Sequence, residues 1–290
     1  MKNSKQDIIF EVKEDGGLLE CVRKELAQLP AGKTKSLLEH RLISVDGVIT
    51  SRFDYPVKCG QRIKINMTGQ GSYNCPLPIV YEDDDLLAVN KPAGLLSVAT
   101  DTEKENTAIR LLRDSDIGSL FVVHRLDRDT SGVLLFAKSE EMRDLLQNSW
   151  DETVKREYIA VCEGVFANKS GRCDSLLRET TTHMVYSVQS GEGKRAITNY
   201  EVIKENGKFS YLRVSIETGR KNQIRVHMKD LSHPIVGDKK YGATGNPLGR
   251  LGLHASLLGI THPRTGEALT ICAEPDIHFR LPRERKAASR

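Results

Sequence analysis

Hydrophobic and polar residues alternate with two different periods along the chain, and the change of period divides it into segments. In residues 18–29, LLECVRKELAQL, apolar side chains recur every three or four positions and share one face of a helix. Residues 209–219, FSYLRVSIETG, instead alternate Leu212, Val214 and Ile216 with polar neighbours, which predicts a half-buried strand. The pattern therefore predicts helices near the N-terminus and mostly strands after it.

A compact first unit is predicted over residues 1–67. A second short helix begins at the candidate N-cap Thr34, and residues 43–51, ISVDGVITS, place two β-branched arms around Asp46-Gly47. Asp-Gly favours a type I′ hairpin turn because both central residues need positive φ. Residues 61–67, QRIKINM, supply a closing strand.

The Gly-, Ser- and Pro-rich residues 68–78, TGQGSYNCPLP, are predicted to be a linker, and a larger unit follows over residues 79–285. Its first two strands surround an acidic turn in residues 79–94, IVYEDDDLLAVNKPAG. Helices are predicted at 139–150, capped by Ser139, and at 220–231. Residues 286–290 are predicted to be a basic tail.

Composition narrows the classes of protein but does not identify one. The 290 residues carry a net charge of +4, which permits a polyanionic partner without requiring one. No apolar run is long enough to cross a bilayer, and residues 1–15 lack an apolar signal core, so a cytoplasmic protein is expected. The six cysteines form no CxxC pair and the eight histidines lack zinc-site spacing, so reduced thiols and no metal are expected.

The densest group of candidate chemistry lies in residues 124–132, HRLDRDTSG, between two apolar runs. Arg125 and Arg128 flank Asp127, and neighbouring cations favour the ionised form of a carboxyl group. An ionised carboxylate suits a nucleophile or a base and does not suit a general acid. On these residues alone, a helix cap or a surface charge is the commoner explanation for such an aspartate.

A wider match changes this interpretation. Residues 124–138, HRLDRDTSGVLLFAK, closely resemble the signature of the RluA-type pseudouridine synthases, and three more segments resemble that family's motifs in the same order. They are YEDDDLLAVNKPAGLLS (81–97), KREYIAVCEG (155–164) and TGRKNQIRVHMKDLSHPIVGDKKYG (218–242). The first unit resembles the small RNA-binding domain first described in ribosomal protein S-four. The resemblance implies an α+β protein: a small α/β S-four-type domain, then a catalytic domain built on a mixed, mainly antiparallel β-sheet with flanking helices.

The resemblance implies an isomerase that converts uridine in RNA to pseudouridine. The bond from uracil N1 to ribose C1′ breaks, the uracil rotates, and C5 joins the same carbon. Neither cofactor nor metal is implied, because the product is an isomer of the substrate. Ribosomal large-subunit RNA is the expected substrate, with transfer RNA as the alternative, and a monomer is expected.

Matching the motifs residue by residue implies a set of functional side chains. Asp127 would be the essential nucleophile or base, Arg225 its ion-pair partner, and Tyr158 the residue that stacks on or hydrogen-bonds the flipped uracil or acts as base at C5. Arg125 would fill the gap that the flipped nucleotide leaves in the RNA stack. Further expected substrate contacts are Arg128, Lys155 and Asn222, and the expected RNA contacts of the first unit are Lys33, Lys35 and Arg41. Whether Asp127 attacks the sugar, attacks the ring or removes a ribose proton stays open.

The chain departs from the family pattern at Asn222, where the third motif usually has a histidine. Asparagine cannot carry a proton, so that position is not expected to titrate. His124 is expected to be structural. Two other functions stay open: a non-catalytic RNA-binding or ribosome-assembly protein, and a hydrolase that cleaves the glycosidic bond. A retaining glycosidase needs two carboxylates about 5 Å apart, and Asp129 is the candidate for the second.

Overall fold

The computed structural model divides the chain into two compact units, Met1–Pro76 and Leu77–Arg290. Its described residues are 7–27, 34–35, 37–38, 42–46, 48–50, 54–65, 75, 77–115, 117–276 and 279–282. Most of the predicted linker and the whole basic tail lie outside them, as do Lys33 and Arg41. Among the described residues, no helix is long and apolar enough to cross a bilayer.

The first unit is a small four-stranded sheet with a helix and a two-stranded ribbon. Its elements are β1 (Ile8–Glu11), β2 (Gly16–Gly17), α1 (Leu18–Glu25), β3 (Ile43–Val45), β4 (Val48–Ile49), β5 (Pro56–Val57) and β6 (Arg62–Ile65). The sheet order is β1-β6-β3-β4, all antiparallel, and β2 pairs with β5. Asp46 has a φ of 49°, so the predicted β3–β4 hairpin is confirmed with the positive φ that its turn needs.

The apolar face predicted for α1 forms the core of this unit. Leu18, Val22 and Leu26 are buried against Ile63 and Ile65 of β6. Each such side chain contributes about 1.5–3 kcal/mol when it leaves water. The helix ends earlier than predicted, at Glu25. Residues 34–35 and 37–38 are also helical, within the second predicted helix.

The larger unit consists mainly of strands. Its elements are β7 (Ile79–Glu82), β8 (Leu86–Lys91), α2 (Ala108–Arg113), β9 (Phe121–Val122), β10 (Ser131–Ala137), α3 (Glu140–Thr153), β11 (Lys155–Glu163), β12 (Ser170–Glu179), β13 (Val185–Val188), β14 (Lys194–Glu205), β15 (Phe209–Ile216), α4 (Gln223–Asp230), a 3₁₀ turn (Lys239–Tyr241), β16 (Leu253–Thr261) and β17 (Ala268–Cys272). The strands predicted on both sides of the acidic turn are β7 and β8, and the alternating strand is β15.

The strands of this unit form one mixed sheet. The order is β13-β12-β14-β15-β11-β16-β10-β8-β7, with β17 added beside β16 and β9 beside β10. Every pairing is antiparallel except that of β10 with β16, which is parallel. The α+β class with a mixed, mainly antiparallel sheet is therefore confirmed.

Two helices were predicted in this unit, and they differ in how well the pattern placed them. The α3 helix begins after Ser139, whose hydroxyl accepts a hydrogen bond from the Met142 amide at 3.1 Å, so the predicted cap is confirmed. The α4 helix begins at Gln223 and not at Arg220, because residues 219–222 form a turn that the Gln223 side chain closes by accepting the Arg220 amide hydrogen bond at 3.0 Å. The sequence pattern missed α2, although Thr107 caps it.

The loop of residues 124–132, which we call the signature loop, ends where β10 pairs in parallel with β16. All seven residues of β10 are buried, and Gly132 lies beside Ala255 of β16. Gly132 has a φ of 115°, and a Cβ atom there would lie 2.1 Å from the Ala255 carbonyl oxygen. The close approach of the two backbones therefore requires glycine at this position.

Replacing Gly132 by alanine should destabilise the protein by at least about 3 kcal/mol, because the new methyl group forces two backbones apart in addition to the positive-φ penalty. Gly118→Ala is the matched control: Gly118 has a φ of 91°, but a Cβ there meets no atom within 4 Å. That control should lose only about 1–2 kcal/mol. Urea unfolding of both variants measures the difference, and equal losses would contradict the steric explanation.

Candidate active site

A cavity of about 310 Å³ opens where the signature loop, β11 and the start of α4 meet. We call it the central cavity. The predicted site residues that line it are Arg125, Asp127, Tyr158, Asn222 and Arg225. These residues come from three motifs that lie far apart in the sequence, so the fold brings together most of the predicted site.

Two predicted substrate contacts do not line this cavity. Lys155 is exposed and forms an ion pair with Glu157 at 2.7 Å. Side chains alternate along a strand, so Lys155 and Glu157 point away from the face that carries Tyr158. Arg128 is exposed and contributes its backbone carbonyl to the structure. The structure therefore gives no support to a contact of either side chain with a substrate bound inside the cavity.

Arg156 lines the central cavity, although the motif match did not place it among the expected site residues. It is two residues from Tyr158 and therefore lies on the same face of β11, where it is buried and lines the central cavity. Its guanidinium group contacts Gly219, where a Cβ atom would lie 2.7 Å from Nη1. Strand periodicity, counted from Tyr158, was the signal that could have identified it.

The buried side chain of Lys91 holds the backbone of the signature loop just after Asp127. Lys91, at the end of β8, donates hydrogen bonds from Nζ to the carbonyl oxygens of Pro92 at 2.9 Å, Leu95 at 2.8 Å and Arg128 at 3.0 Å. Burial lowers the pKa of Lys91 to about 8, although Asp129 and Asp127 oppose this shift. The lysine therefore fixes the loop through the backbone on the C-terminal side of Asp127.

A second anchor holds the loop just before Asp127. The Ser97 hydroxyl accepts a hydrogen bond from the Leu126 amide at 3.0 Å and bonds the Leu126 carbonyl oxygen at 2.9 Å. Ser97 and Lys91 both belong to the first motif. The first motif therefore positions Asp127 from both sides without contributing a side chain to the central cavity.

The end of the loop is anchored to β16. His254 Nε2 donates to the carbonyl oxygen of Ala273 at 2.9 Å, so its Nδ1 is the acceptor for the Ser131 hydroxyl at 2.7 Å. Arg250 in turn donates to the same hydroxyl oxygen. All three polar groups at this junction are satisfied, which fixes the start of β10.

Arg225 is bound to a carboxylate that the sequence analysis missed. Its Nε and Nη2 donate to the two carboxylate oxygens of Asp238, each at 2.7 Å, and the Asp238 side chain is almost completely buried. The expected partner Asp127 lies farther away, with 3.8 Å between its Oδ2 and Arg225 Nη1. Asp238 lies in the same third motif, but an aspartate after glycine in a loop carries no distinctive pattern.

Asn222 orients this arginine from the first position before α4. Its Oδ1 accepts a hydrogen bond from Arg225 Nη1 at 3.0 Å, and its Nδ2 donates to the Tyr241 hydroxyl at 3.0 Å. The residue has a φ of 54°, in the left-handed region that asparagine tolerates better than most residues. Both polar ends of the amide are thus hydrogen-bonded inside the protein, and the contact of Asn222 with the substrate stays a prediction.

The α4 helix is buried on most sides, which explains why its arginine differs from a surface charge. Ile224 and Met228 pack against the core residues of β11 and β15, while Val226 packs against those of β12–β14. Arg225 and His227 are consequently inside the protein as well. Ile224 and Met228 lie four residues apart on one face of the helix, but the sequence pattern did not reveal that the opposite face is also covered.

The electrostatic state of Asp127 differs from the sequence expectation. Burial raises the pKa of the Asp127 carboxyl, and Arg225, Arg125 and Lys221 only partly oppose this shift. Adjacent arginines in the sequence thus predicted the wrong direction, because desolvation in the central cavity outweighs the attraction of the cations.

Tyr158 carries a protonated phenol at neutral pH. Burial raises its pKa to about 12, with Asp127 adding to the shift and Arg156 opposing it. The hydroxyl can therefore donate a hydrogen bond into the central cavity, and the ring supplies a flat apolar surface for a base.

The central cavity contains one carboxylate among the residues that the structure describes, that of Asp127. Asp129 is exposed and does not line it, and Asp238 is bound to Arg225. The carboxylate pair that a retaining glycosidase needs is therefore absent from this described lining.

The chain is similar in sequence to proteins that act on RNA. Residues 85–230 match the family described as RNA pseudouridylate synthase. The tRNA pseudouridine synthase C of Haemophilus ducreyi is 39% identical over 71% of this chain and 93% of its own length. The ribosomal large subunit pseudouridine synthase D of Haemophilus influenzae is 31% identical over 82% of this chain and 81% of its own length.

A solved structure of a related protein has a similar fold. Human RNA pseudouridylate synthase domain containing 1 superposes with a TM-score of 0.59 at 26% identity, over 71% of this chain and 86% of that chain.

Replacing Asp127 by asparagine should stabilise the folded protein at neutral pH. Because burial raises the folded-state pKa above the unfolded value, the ionised carboxylate costs stability at neutral pH, and that cost disappears as pH falls through the folded-state pKa. The melting temperature of Asp127→Asn should exceed that of the wild type at pH 7, and the gap should shrink toward pH 4. A lower melting temperature at pH 7 would show that the cations outweigh burial.

Proposed function

The chain belongs to the RNA pseudouridylate synthase family, and from that premise we propose that Asp127 is the catalytic carboxylate with which it isomerises uridine in RNA. The protein is an RNA-modifying isomerase of the RluA type. Its reaction breaks one bond to ribose C1′ and forms another, so the site must hold a uridine, stabilise the departing uracil and exclude water.

The observation that carries this proposal is the setting of Asp127. Among the described lining residues it is the only carboxylate of the central cavity, and Lys91 and Ser97 fix its loop from both sides. Burial raises its pKa, and a carboxylate with a raised pKa is a stronger base and nucleophile in its ionised form. Arg225 lies close enough to stabilise the ionised form when it is needed.

The neighbouring residues support a division of tasks around the flipped nucleotide. Tyr158 would stack on the uracil or donate a hydrogen bond to it. Its pKa of about 12 means that action as a base at C5 requires the phenol proton to leave first. Arg125 is exposed at the mouth of the central cavity, where a planar guanidinium group can replace the extruded base in the RNA stack.

We also propose that the substrate is ribosomal large-subunit RNA, with transfer RNA as the alternative. The similarity to the ribosomal large subunit synthase D of Haemophilus influenzae extends over more of the chain than that to the tRNA synthase C. The proposed enzyme is a cytoplasmic monomer that needs neither metal nor cofactor, since the reaction changes neither the oxidation state nor the composition of the RNA.

The first unit, residues 1–67, is proposed to be an S-four-type RNA-binding domain that precedes a catalytic domain over residues 79–285. The predicted hairpin and its helix support this assignment. Lys35 is exposed on the second helical segment and would contact phosphate. Lys33 and Arg41, the other two proposed contacts, lie outside the described residues.

A map of pseudouridines in RNA from cells that lack this gene tests the function. Carbodiimide labelling would locate pseudouridines as reverse-transcription stops. One or a few stops should vanish on deletion, return with the wild type and with Lys155→Ala, and stay absent with Asp127→Asn. The lost positions would identify the substrate RNA.

Two results would contradict the proposal. If no stop changes on deletion, the protein does not modify RNA under those conditions and a non-catalytic RNA-binding role is favoured. If Asp127→Asn restores the stops, the carboxylate is not catalytic. Lys155→Ala serves as the matched control because that side chain points away from the central cavity.

Substitution of Asn222 tests whether the orientation of Arg225 matters for the reaction. Asn222→Gly keeps the left-handed backbone but removes both amide hydrogen bonds, whereas Asn222→Ala also strains the backbone. Both should lower kcat about tenfold or more, because a hydrogen bond to a charged group is worth about 1.5–3 kcal/mol. Asn222→Ala should in addition be less stable than Asn222→Gly by about 1 kcal/mol. Full activity of the glycine variant would exclude an orienting role.

A further inference from the structure

The hydrogen bonds of His124, the first residue of the signature loop, define the tautomer of its neutral imidazole. Its Nε2 lies 3.0 Å from the backbone nitrogen of Leu135, and a backbone N–H can only donate. Nε2 must therefore be the acceptor. A neutral imidazole that accepts at Nε2 carries its proton on Nδ1, so the tautomer follows from the geometry of one hydrogen bond.

The protonated Nδ1 atom is available to donate a hydrogen bond. His124 lines the central cavity, and no described residue hydrogen-bonds its Nδ1. Nδ1 is also not among the buried nitrogen and oxygen atoms that lack a partner in the described part of the chain, so it is accessible to solvent. Trp150 stacks on the ring with 4.8 Å between the ring centroids, which holds the imidazole in this orientation.

The surroundings of the ring keep this donor neutral. Burial lowers the pKa of His124 to about 3, and the charge of Arg156 adds to the shift. Protonation of Nε2 would also remove the acceptor of the Leu135 amide. The imidazole is consequently a permanent hydrogen-bond donor and not a proton carrier.

Arg156 indicates what kind of acceptor this donor meets. Both side chains line the central cavity, and they are near enough for the guanidinium charge to act on the imidazole. A neutral N–H beside a guanidinium group favours an oxygen that bears negative charge. The RNA supplies two such oxygens near a flipped uridine: a phosphodiester oxygen, and a uracil carbonyl oxygen as the base departs.

We propose that His124 binds the RNA substrate directly by donating a hydrogen bond from Nδ1 to an anionic oxygen. This inference rests on the proposed function, since it takes the occupant of the central cavity to be a uridine in RNA. It gives His124 a second task beyond its structural bond to Leu135, so the expectation of a purely structural histidine is incomplete.

Two substitutions of His124 separate hydrogen-bond donation by Nδ1 from hydrogen-bond acceptance by Nε2. The carbonyl oxygen of a glutamine side chain can take the place of Nε2 as acceptor for the Leu135 amide, but His124→Gln has no donor at the position of Nδ1. An asparagine side chain is shorter and ends near Nδ1, so His124→Asn keeps a donor there and loses the acceptor. The glutamine variant tests binding, and the asparagine variant tests the structural bond.

The assay uses the full-length protein with RNA from the deletion strain, labelled with tritium at uracil C5. Isomerisation releases the C5 hydrogen, so tritium release under single-turnover conditions gives the rate of the chemical step. Binding affinity is measured in parallel by filter binding, with His124→Gln placed in the inactive Asp127→Asn protein. Melting temperatures of all variants report the structural effect.

His124→Gln should lower the rate or the affinity about ten- to hundredfold with little change in melting temperature. A loss of affinity at unchanged rate identifies a phosphodiester oxygen, and a loss of rate at unchanged affinity identifies the uracil carbonyl. His124→Asn should melt at a lower temperature and yet retain a larger share of the lost activity than His124→Gln.

Wild-type rate and affinity in His124→Gln would overturn the inference. An equal loss in both variants would also overturn it, because that result indicates a structural role alone. If His124→Gln does not fold, the activity per folded molecule of His124→Asn tests the inference. Retained activity supports hydrogen-bond donation at the position of Nδ1, and lost activity excludes it. A failure of the proposed function is distinguishable, because the wild-type protein itself would then release no tritium.

Discussion

The site depends on a buried ion pair, that of Arg225 with Asp238, which holds the guanidinium group beside Asp127. Two charges removed from water are tolerated only when each is matched by a partner and by hydrogen bonds. Here the carboxylate takes two of the guanidinium donors and Asn222 takes a third. Arg225 Nη1 lies 3.8 Å from Asp127 Oδ2, so Asp238 and Asn222 together set the position of the positive charge beside Asp127.

This arrangement resolves a conflict between two requirements on Asp127. A reactive carboxylate benefits from a desolvated setting, because water would otherwise stabilise its charge and weaken its action. The same setting penalises the ionised form. Arg225 offsets part of that penalty at a distance of 3.8 Å without forming the tight bond that would make the carboxylate inert. The tight bond goes to Asp238, and Asp127 keeps its oxygens available.

Sequence periodicity predicted the framework of the fold well and the site less completely. The strands on both sides of the acidic turn, the Ser139 cap and the Asp46 turn depend on local rules, and each was found where expected. Matching motifs brought Asp127, Tyr158 and Arg225 to one cavity. The residues that were not predicted depend on long-range environment. Arg156 was not expected in the site, although strand periodicity places it on the face of Tyr158, and Asp238 was not expected because its partner Arg225 is a neighbour in the fold and not in the sequence. The pKa of Asp127 followed burial, which no local pattern encodes.

The parallel contact between β10 and β16 also has a consequence for biosynthesis. Its partners Ser131 and His254 are 123 residues apart in the sequence, so β10 leaves the ribosome long before β16 does. Until then, a strand whose side chains are all destined for the interior lacks its neighbour on one side, and such an unpaired edge is prone to associate with other chains. The loop that bears Asp127 is also unanchored at its end during this interval. That anchor forms only after β16, residues 253–261, has been synthesised, so the unpaired edge of β10 persists until nearly the whole chain has been made.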